Sequence, residues 1–499
     1  MSEAQHSYRQ IVKATSLFGG VQVFQIIISI VRSKFVAVLL GPVGMGINGL
    51  LISTTGMIEG LTNFGLGTSA VKNVAEAHVS GNTGRIGKVV AVVRKLVWIT
   101  GLFGAVITLF LSPWLSRITF GNRDYTLAFV LISITLLFNQ ISTGQSVILR
   151  GTRQLKYMAR ASLAGSLLGL IISVPVYYKW NIDGIVPAII ITSVISLLIT
   201  WYYSNKVKIE KVKISRVTII REGKEMMSMG FMLSLSGVIT LATGYIIRIF
   251  ISNTGGVDQV GLFSAGFAII NTYVSMVFNA MSTDYFPRLS GVANDNSKAT
   301  ELINQQSEIA ILILSPILTV FIVFIQFAVI ILYSSKFLEV NGMIQWAALG
   351  MYFKAASWAI AFLFLAKGAS GLYFWNELIS NLYVLGLNIL GYRFGGLDGL
   401  GISFLLSYIF YFVQVFLLTK YKYDFSIRSA YTKIFLVQLF WGILCFLTIR
   451  FFSVPGAYLI GFFLIAASTI ISYKELDRRI DLKTILQTVL SRNDRRSQE

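Results

Sequence analysis

The 499-residue sequence has one cysteine, two histidines and seven prolines, and only 13% of its residues are charged. The lone thiol, Cys445, sits in an apolar run and excludes an internal disulfide. His6 and His78 lie far apart, so no His and Cys set for a metal site is present. The shortage of charge excludes a soluble globular chain, whose surface needs far more of it. Catalytic signatures are missing as well: there is no HExxH, no GxSxG and no soluble nucleotide-binding domain. Gly81 to Lys88 (GNTGRIGK) imitates a phosphate loop. Its glycine spacing is one residue too long, and no Ser or Thr follows Lys88 to hold magnesium. It reads as a turn on the cytoplasmic side. The expectation is a chain that is not an enzyme and carries no cofactor and no metal.

Hydrophobic residues make up 55% of the chain and aromatics 13%, as expected when lipid is the main solvent. Apolar segments of about 20 residues, each able to cross roughly 30 Å of hydrocarbon, recur along its length. About fourteen are read, near 16–40, 45–69, 92–114, 125–147, 161–178, 184–204, 229–252, 260–283, 309–332, 341–366, 372–392, 397–419, 433–452 and 455–472. Lipid leaves helices or closed barrels as options, and these uninterrupted runs exclude a barrel. The opening segment, Met1 to Lys13, is polar and shows no cleavage site of the usual small-residue kind.

The basic excess, 42 Lys and Arg against 22 Asp and Glu, sorts by membrane side. With the N-terminus inside, about 32 of the 42 basic residues fall in cytoplasmic segments, densest at 206–224 and 474–496. Both termini are then cytoplasmic, and the charge serves topology and anionic lipid rather than nucleic acid.

A weak internal repeat pairs Val43-Gly44-Met45-Gly46-Ile47-Asn48-Gly49 with Val260-Gly261-Leu262-Phe263-Ser264-Ala265-Gly266. It predicts an all-α polytopic membrane protein of two six-helix lobes, 1–217 and 218–432. Residues 433–499 add two helices and a basic tail. The lobes would be parallel pseudo-repeats around a central cavity.

Polar groups inside spans carry the functional signal, because a charge at mid-membrane costs ~2.5–3.5 kcal/mol or more. Gln22, Gln25, Ser29 and Arg32 share a helix face, with Lys34 on another side. Asn48, Thr55, Glu59 and Thr62 form a second stripe, with Asn63 beside it. Arg248 and Ser252 share the seventh span with Gly244 and Tyr245. Ser264, Asn271 and Ser275 stripe the eighth, and Lys354 lies near the centre of the tenth, with Glu377 a candidate partner. Interhelical hydrogen bonding would explain the neutral members equally well. For Arg32, Glu59 and Arg248 a wet cavity is the better reading, since an ionised group needs water or a partner. A positive cavity suits a pyrophosphate, which a planar guanidinium binds through paired hydrogen bonds. Asp284 and Arg288 read as a solvated helix end. Pro113, Pro175, Pro187 and Pro316 are expected to mark bends.

The run from Arg32 to Gly46 (RSKFVAVLLGPVGMG) resembles the start of polysaccharide transporters in the multidrug/oligosaccharidyl-lipid/polysaccharide exporter superfamily. The resemblance extends through Phe64-Gly65-Leu66-Gly67 with Lys72, Leu149-Arg150-Gly151 with Lys156, and Val260 to Ala265. Phe286-Pro287-Arg288-Leu289-Ser290 and Gly396-Leu397-Asp398-Gly399-Leu400 continue it, so it covers almost the whole chain. Within that superfamily the chain most resembles Wzx-type O-antigen translocases.

The resemblance implies a flippase moving an undecaprenyl-diphosphate-linked oligosaccharide from the cytoplasmic to the periplasmic leaflet of the bacterial inner membrane. Its implied partners are that lipid, surrounding membrane lipids, a coupling H+ or Na+, and polysaccharide assembly proteins. A lipid II flippase or a drug/cation antiporter of the same superfamily is the alternative. The deep basic residues outnumber Glu59 and disfavour the antiporter. A membrane enzyme or non-transporting scaffold of polysaccharide assembly is the remaining class; an enzyme would need outer loops longer than the dozen or so residues inferred.

Overall fold

The computed structural model describes residues 3–210 and 212–480, without the side chains of 3–23, 233, 272–276, 279–280, 283, 454 and 480. Fourteen α-helices and no strand occur among the described residues. They are α1 (Glu3–Thr62), α2 (Leu66–Val79), α3 (Thr83–Phe120), α4 (Thr126–Gly151), α5 (Leu155–Trp180), α6 (Ile185–Asn205) and α7 (Arg216–Gly255). The remainder are α8 (Val257–Ala268), α9 (Ser275–Gly291), α10 (Asn296–Leu332), α11 (Asn341–Ala366), α12 (Ser370–Tyr423), α13 (Ser429–Phe451) and α14 (Val454–Ile480). A π-helical turn, Ile269–Val274, joins α8 to α9.

Ten of the described helical stretches are long and apolar enough to cross a membrane. Three of them run to 39, 51 and 54 residues. At 1.5 Å per residue these reach about 58, 76 and 81 Å, twice or more the hydrocarbon thickness, so each holds two passes. The backbone breaks where that requires: at Gly41, at the turn Asn181–Gly184, and at Gly396. Gly41 (φ 64°) and Gly396 (φ 55°) sit in the left-handed region that a side chain disfavours. Pro42, with no N–H to satisfy, then restarts the helix. Splitting these three stretches raises ten candidate passes to thirteen, and Val257–Asn271 is a shorter apolar helix beside them. The protein is an all-helical, multi-pass membrane protein.

The prolines expected to mark bends all sit within helices. Pro113, Pro175 and Pro316 lie inside α3, α5 and α10, and Pro187 falls in the first turn of α6, where a missing N–H costs nothing. Non-helical backbone inside the described helices falls at Gly41, Gly396 and Phe324.

The chain divides into two compact units. The first comprises residues 1–264 with 332–336; the second comprises 265–331 with 337–499. In the first, α3, α4 and α6 pack together, while α7 lies on α1, α2 and α3. α2 is too short to span. It buries Leu66, Ala70, Val74 and Ala77 against Val89, Val93 and Val97 of α3, and exposes Lys72 and Glu76. Of the stretch Gly81–Lys88, expected to be a turn, only Gly81 and Asn82 connect α2 to α3; Thr83–Lys88 opens α3 as helix, with Asn82 Oδ1 capping it by accepting from the Arg85 N–H at 3.0 Å.

In the second unit α11 packs on α12 and α9, and α13 joins α14 and α11. Tyr285 of α9 is fully buried and donates to the Ala359 carbonyl at 2.7 Å. Asp284 and Arg288 pair at 3.2 Å on the exposed side of α9, the solvated helix end expected of them. The last two helices are tied in by side chains at several levels. Arg450 pairs with Asp398 at 3.0 Å, Tyr458 donates to Gln326 at 3.2 Å, and Arg479 pairs with Glu308 at 2.7 Å. Glu308 is buried, so Arg479→Ala strands a carboxylate. It is expected to cost about 1–2 kcal/mol, discounted for the partly exposed guanidinium. A melt in detergent should fall by about 1–2 °C; an unchanged midpoint would show that α14 is not held there.

Candidate functional site

Ion pairs in this protein cluster at helix ends: Lys88–Glu222, Arg288–Asp284, Arg428–Glu301, Arg450–Asp398 and Arg479–Glu308. Charges deep inside the spans behave differently. Among the described residues, none of Arg32, Glu59, Arg248, Lys354 and Glu377 makes an ion pair. In a low-dielectric slab a charge that serves packing should be paired; one left unpaired is kept for something that arrives.

Four groups in the first unit define its polar face. Gln25 donates to Ser162 Oγ of α5, which fixes the amide, while Ser29 one turn on is exposed. Arg32 is half-buried and makes no hydrogen bond to any other described residue. On the second half of α1, Glu59 is half-buried and accepts a long hydrogen bond, 3.4 Å, from Asn139 Nδ2 of α4. Arg32 and Glu59 do not pair with each other.

Arg248 of α7 turns back on its own helix, with Nη1 donating to the Gly244 carbonyl at 3.0 Å. Its guanidinium lies 5.5 Å from the Phe263 ring centroid. Nε is buried without a partner among the described residues. A cation held by one backbone oxygen and a ring face keeps most of its donors free for a planar anion.

Two residues chosen with these have structural contacts. Lys34 Nζ donates to the Tyr333 carbonyl at 2.6 Å and ties down the segment 332–336. Asn63 Oδ1 accepts from the Gly65 N–H at 2.7 Å, closing the turn in which Phe64 (φ 48°) and Gly65 (φ 63°) link α1 to α2.

In the second unit Asn271 is exposed within the π-helical turn, and the side chain of Ser275 lies outside the described residues. Lys354 rests over the rings of Tyr408 and Phe404, 5.2 and 5.9 Å from their centroids. It does not pair with Glu377. That carboxylate accepts from Tyr411 Oη at 2.8 Å and from Asn376 Nδ2 at 3.3 Å. Gln414 Nε2 in turn bonds Asn376 Oδ1 at 2.9 Å. The Glu377 network and Asn139 are residues that facing and depth alone missed. The signal for both was present, since each is a polar residue inside an apolar span.

Taken separately, the first unit offers two unpaired guanidinium groups and the Glu59 carboxylate held by a neutral donor, and the second offers the Lys354 ammonium over aromatic rings and the Glu377 carboxylate held by neutral donors. These groups can bind an anionic headgroup and hydroxyl-rich substituents. Among the described residues no cluster of metal-ligating side chains occurs.

Residues 35–341 match the family described as polysaccharide biosynthesis protein. A Shigella flexneri protein named as an O-antigen transporter is 26% identical over 300 residues, 59% of this chain and 70% of that protein. The lipid III flippase of Escherichia coli (strain K12) is 22% identical over 354 residues, 69% of this chain and 82% of its own. The lipid II flippase MurJ in an inward closed conformation shares the fold with a TM-score of 0.68 at 13% identity, covering 94% of this chain and 99% of that one. A multidrug resistance MATE family transporter of the MOP superfamily, inward-facing, gives 0.67 at 15% identity, covering 82% and 96%.

Proposed function

This chain belongs to the polysaccharide biosynthesis protein family, and we propose that it is a flippase for an undecaprenyl-diphosphate-linked oligosaccharide, an O-antigen or related repeat unit. It acts in the bacterial inner membrane with both termini in the cytoplasm, and carries its substrate by alternating access toward the periplasmic leaflet. The observation that carries this reading is the unpaired state of Arg32 and Arg248, two guanidinium groups inside apolar helices. Guanidinium binds a diphosphate in paired hydrogen bonds, and the neighbouring Gln, Asn and Ser side chains suit sugar hydroxyls. Lys354 of the second unit is a further cation suited to an anionic substrate.

A drug/cation exporter calls for an acidic site, and the unpaired basic groups oppose it. The lobes 1–217 and 218–432 act as the two moving parts, with 433–499 as an added pair of helices and tail. With no nucleotide-binding domain in the sequence, the drive is a gradient, the membrane potential or consumption of product; where H+ or Na+ is coupled, Glu59 and Glu377 are the carboxylates available to it.

The test is the fate of undecaprenyl-diphosphate-linked oligosaccharide in cells lacking the protein and any redundant flippase. Build-up on the cytoplasmic leaflet, loss of surface polysaccharide and rescue by the wild-type gene are expected. Build-up of lipid II instead would move the assignment to a lipid II flippase. Normal surface polysaccharide with no build-up would sink the flippase reading.

A further inference from the structure

Two helix starts in the first unit touch through their main chains. α1 restarts at Pro42 straight after Gly41, and α8 starts at Val257 straight after Gly256 (φ 100°). A Cβ placed on Gly46 would be driven into the Val257 carbonyl oxygen. A Cβ placed on Gly261 would be driven into the Pro42 carbonyl oxygen and would lie 2.9 Å from the Gly46 nitrogen. The contact is reciprocal: each glycine lies on the carbonyl of the residue four before the other. One turn further, a Cβ on Gly49 would meet Ser264 Oγ at 3.1 Å. At Gly46 and Gly261 the obstacle is backbone, so no rotamer change makes room for a side chain.

α1, α7 and α8 of the first unit carry four buried polar atoms without a partner among the described residues, and those on α1 and α8 lie beyond the crossing toward the helix interiors. They are Asn48 Oδ1, Ser264 Oγ, Ser252 Oγ and Arg248 Nε. On α1 and α8 alike the crossing lies on the helix-start side of them. Dry and unpartnered, such atoms cost free energy in an apolar slab, so water or a ligand has to reach them at some stage. A contact made of two glycine backbones suits a seal that parts repeatedly. It holds through close packing and weak Cα–H···O contacts and has no interlocked side chains to undo.

We propose that the Gly46–Gly261 crossing closes the outer end of the transport path, and that both glycines are positioning residues required for the closed state. This rests on the flippase reading and on its cytoplasmic N-terminus. Neither glycine touches substrate; both act by letting α1 and α8 meet.

The test places Ser264→Cys in a Cys445→Ser background, where it is the only thiol, and measures labelling by a membrane-impermeant thiol reagent added outside intact cells. With native glycines the thiol is expected to be protected. Gly46→Val and Gly261→Val should each raise its labelling about tenfold at unchanged membrane level. Unchanged labelling in both would overturn the proposal.

Should either valine variant fail to reach the membrane, the native-glycine protein still decides. Labelling should change when supply of lipid-linked oligosaccharide is switched off. A thiol protected equally with and without supply marks the crossing as permanent packing and overturns it. The valine arm needs no substrate, so it reads the crossing even where the leaflet assay rejects the flippase.

Discussion

Arg248→Ala is expected to lower transport on the order of a hundredfold, about 2.7 kcal/mol, without loss of membrane level or thermal stability. The two halves of that outcome follow from the same geometry. Arg248 makes no ion pair; its partners are the Gly244 carbonyl and the Phe263 face. Removing it strands no carboxylate and deletes a buried charge whose burial costs ~2.5–3.5 kcal/mol. Stability should hold or rise, in contrast to Arg479→Ala. Transport falls because the paired hydrogen bonds that a guanidinium makes to a diphosphate have no substitute. Arg248→Lys keeps the charge without the fork and should lie between the two. Leaflet movement of the lipid-linked oligosaccharide and a detergent melt are the measurements. A melt lowered by many degrees, with transport per folded molecule intact, would make Arg248 a packing residue and remove it from the site.

Glu59→Gln should reduce transport about tenfold, roughly 1.4 kcal/mol, and leave insertion untouched. Glutamine keeps the shape of the side chain and an oxygen for the 3.4 Å bond from Asn139. What it removes is the capacity to carry charge or a proton. Glu59→Asp retains that capacity with a shorter reach and should be milder. Asn139→Ala separates the orienting role from the ionisable one: it loosens the carboxylate while preserving its titration. Near-normal leaflet movement by a stably expressed Glu59→Gln protein would take Glu59 out of the mechanism, leaving Glu377 as the carboxylate to examine.

The solvent, the helical multi-pass plan and the stock of polar residues inside its spans were legible in the sequence. Each follows from a local rule: an apolar run must be long enough to cross lipid, and a polar residue within it must have a reason. The break at Gly41-Pro42 was legible for the same reason, because backbone preferences act within a few residues; of Gly81–Lys88 only the first two residues form the expected turn, and the rest is the start of α3. Pairing was not. Depth and facing put Lys34 and Asn63 with the binding residues, yet Lys34 reaches the Tyr333 carbonyl and Asn63 closes its own turn. Lys354 and Glu377 looked like partners because both are costly alone, but aromatic faces hold one and Tyr411 and Asn376 hold the other. The repeat at Val43 and Val260 was visible as a string. That its glycines meet each other's helix starts through the main chain depends on distances between segments some two hundred residues apart. A sequence states what each residue needs; which neighbour meets that need is settled by packing, and only tertiary structure brings the neighbour within reach.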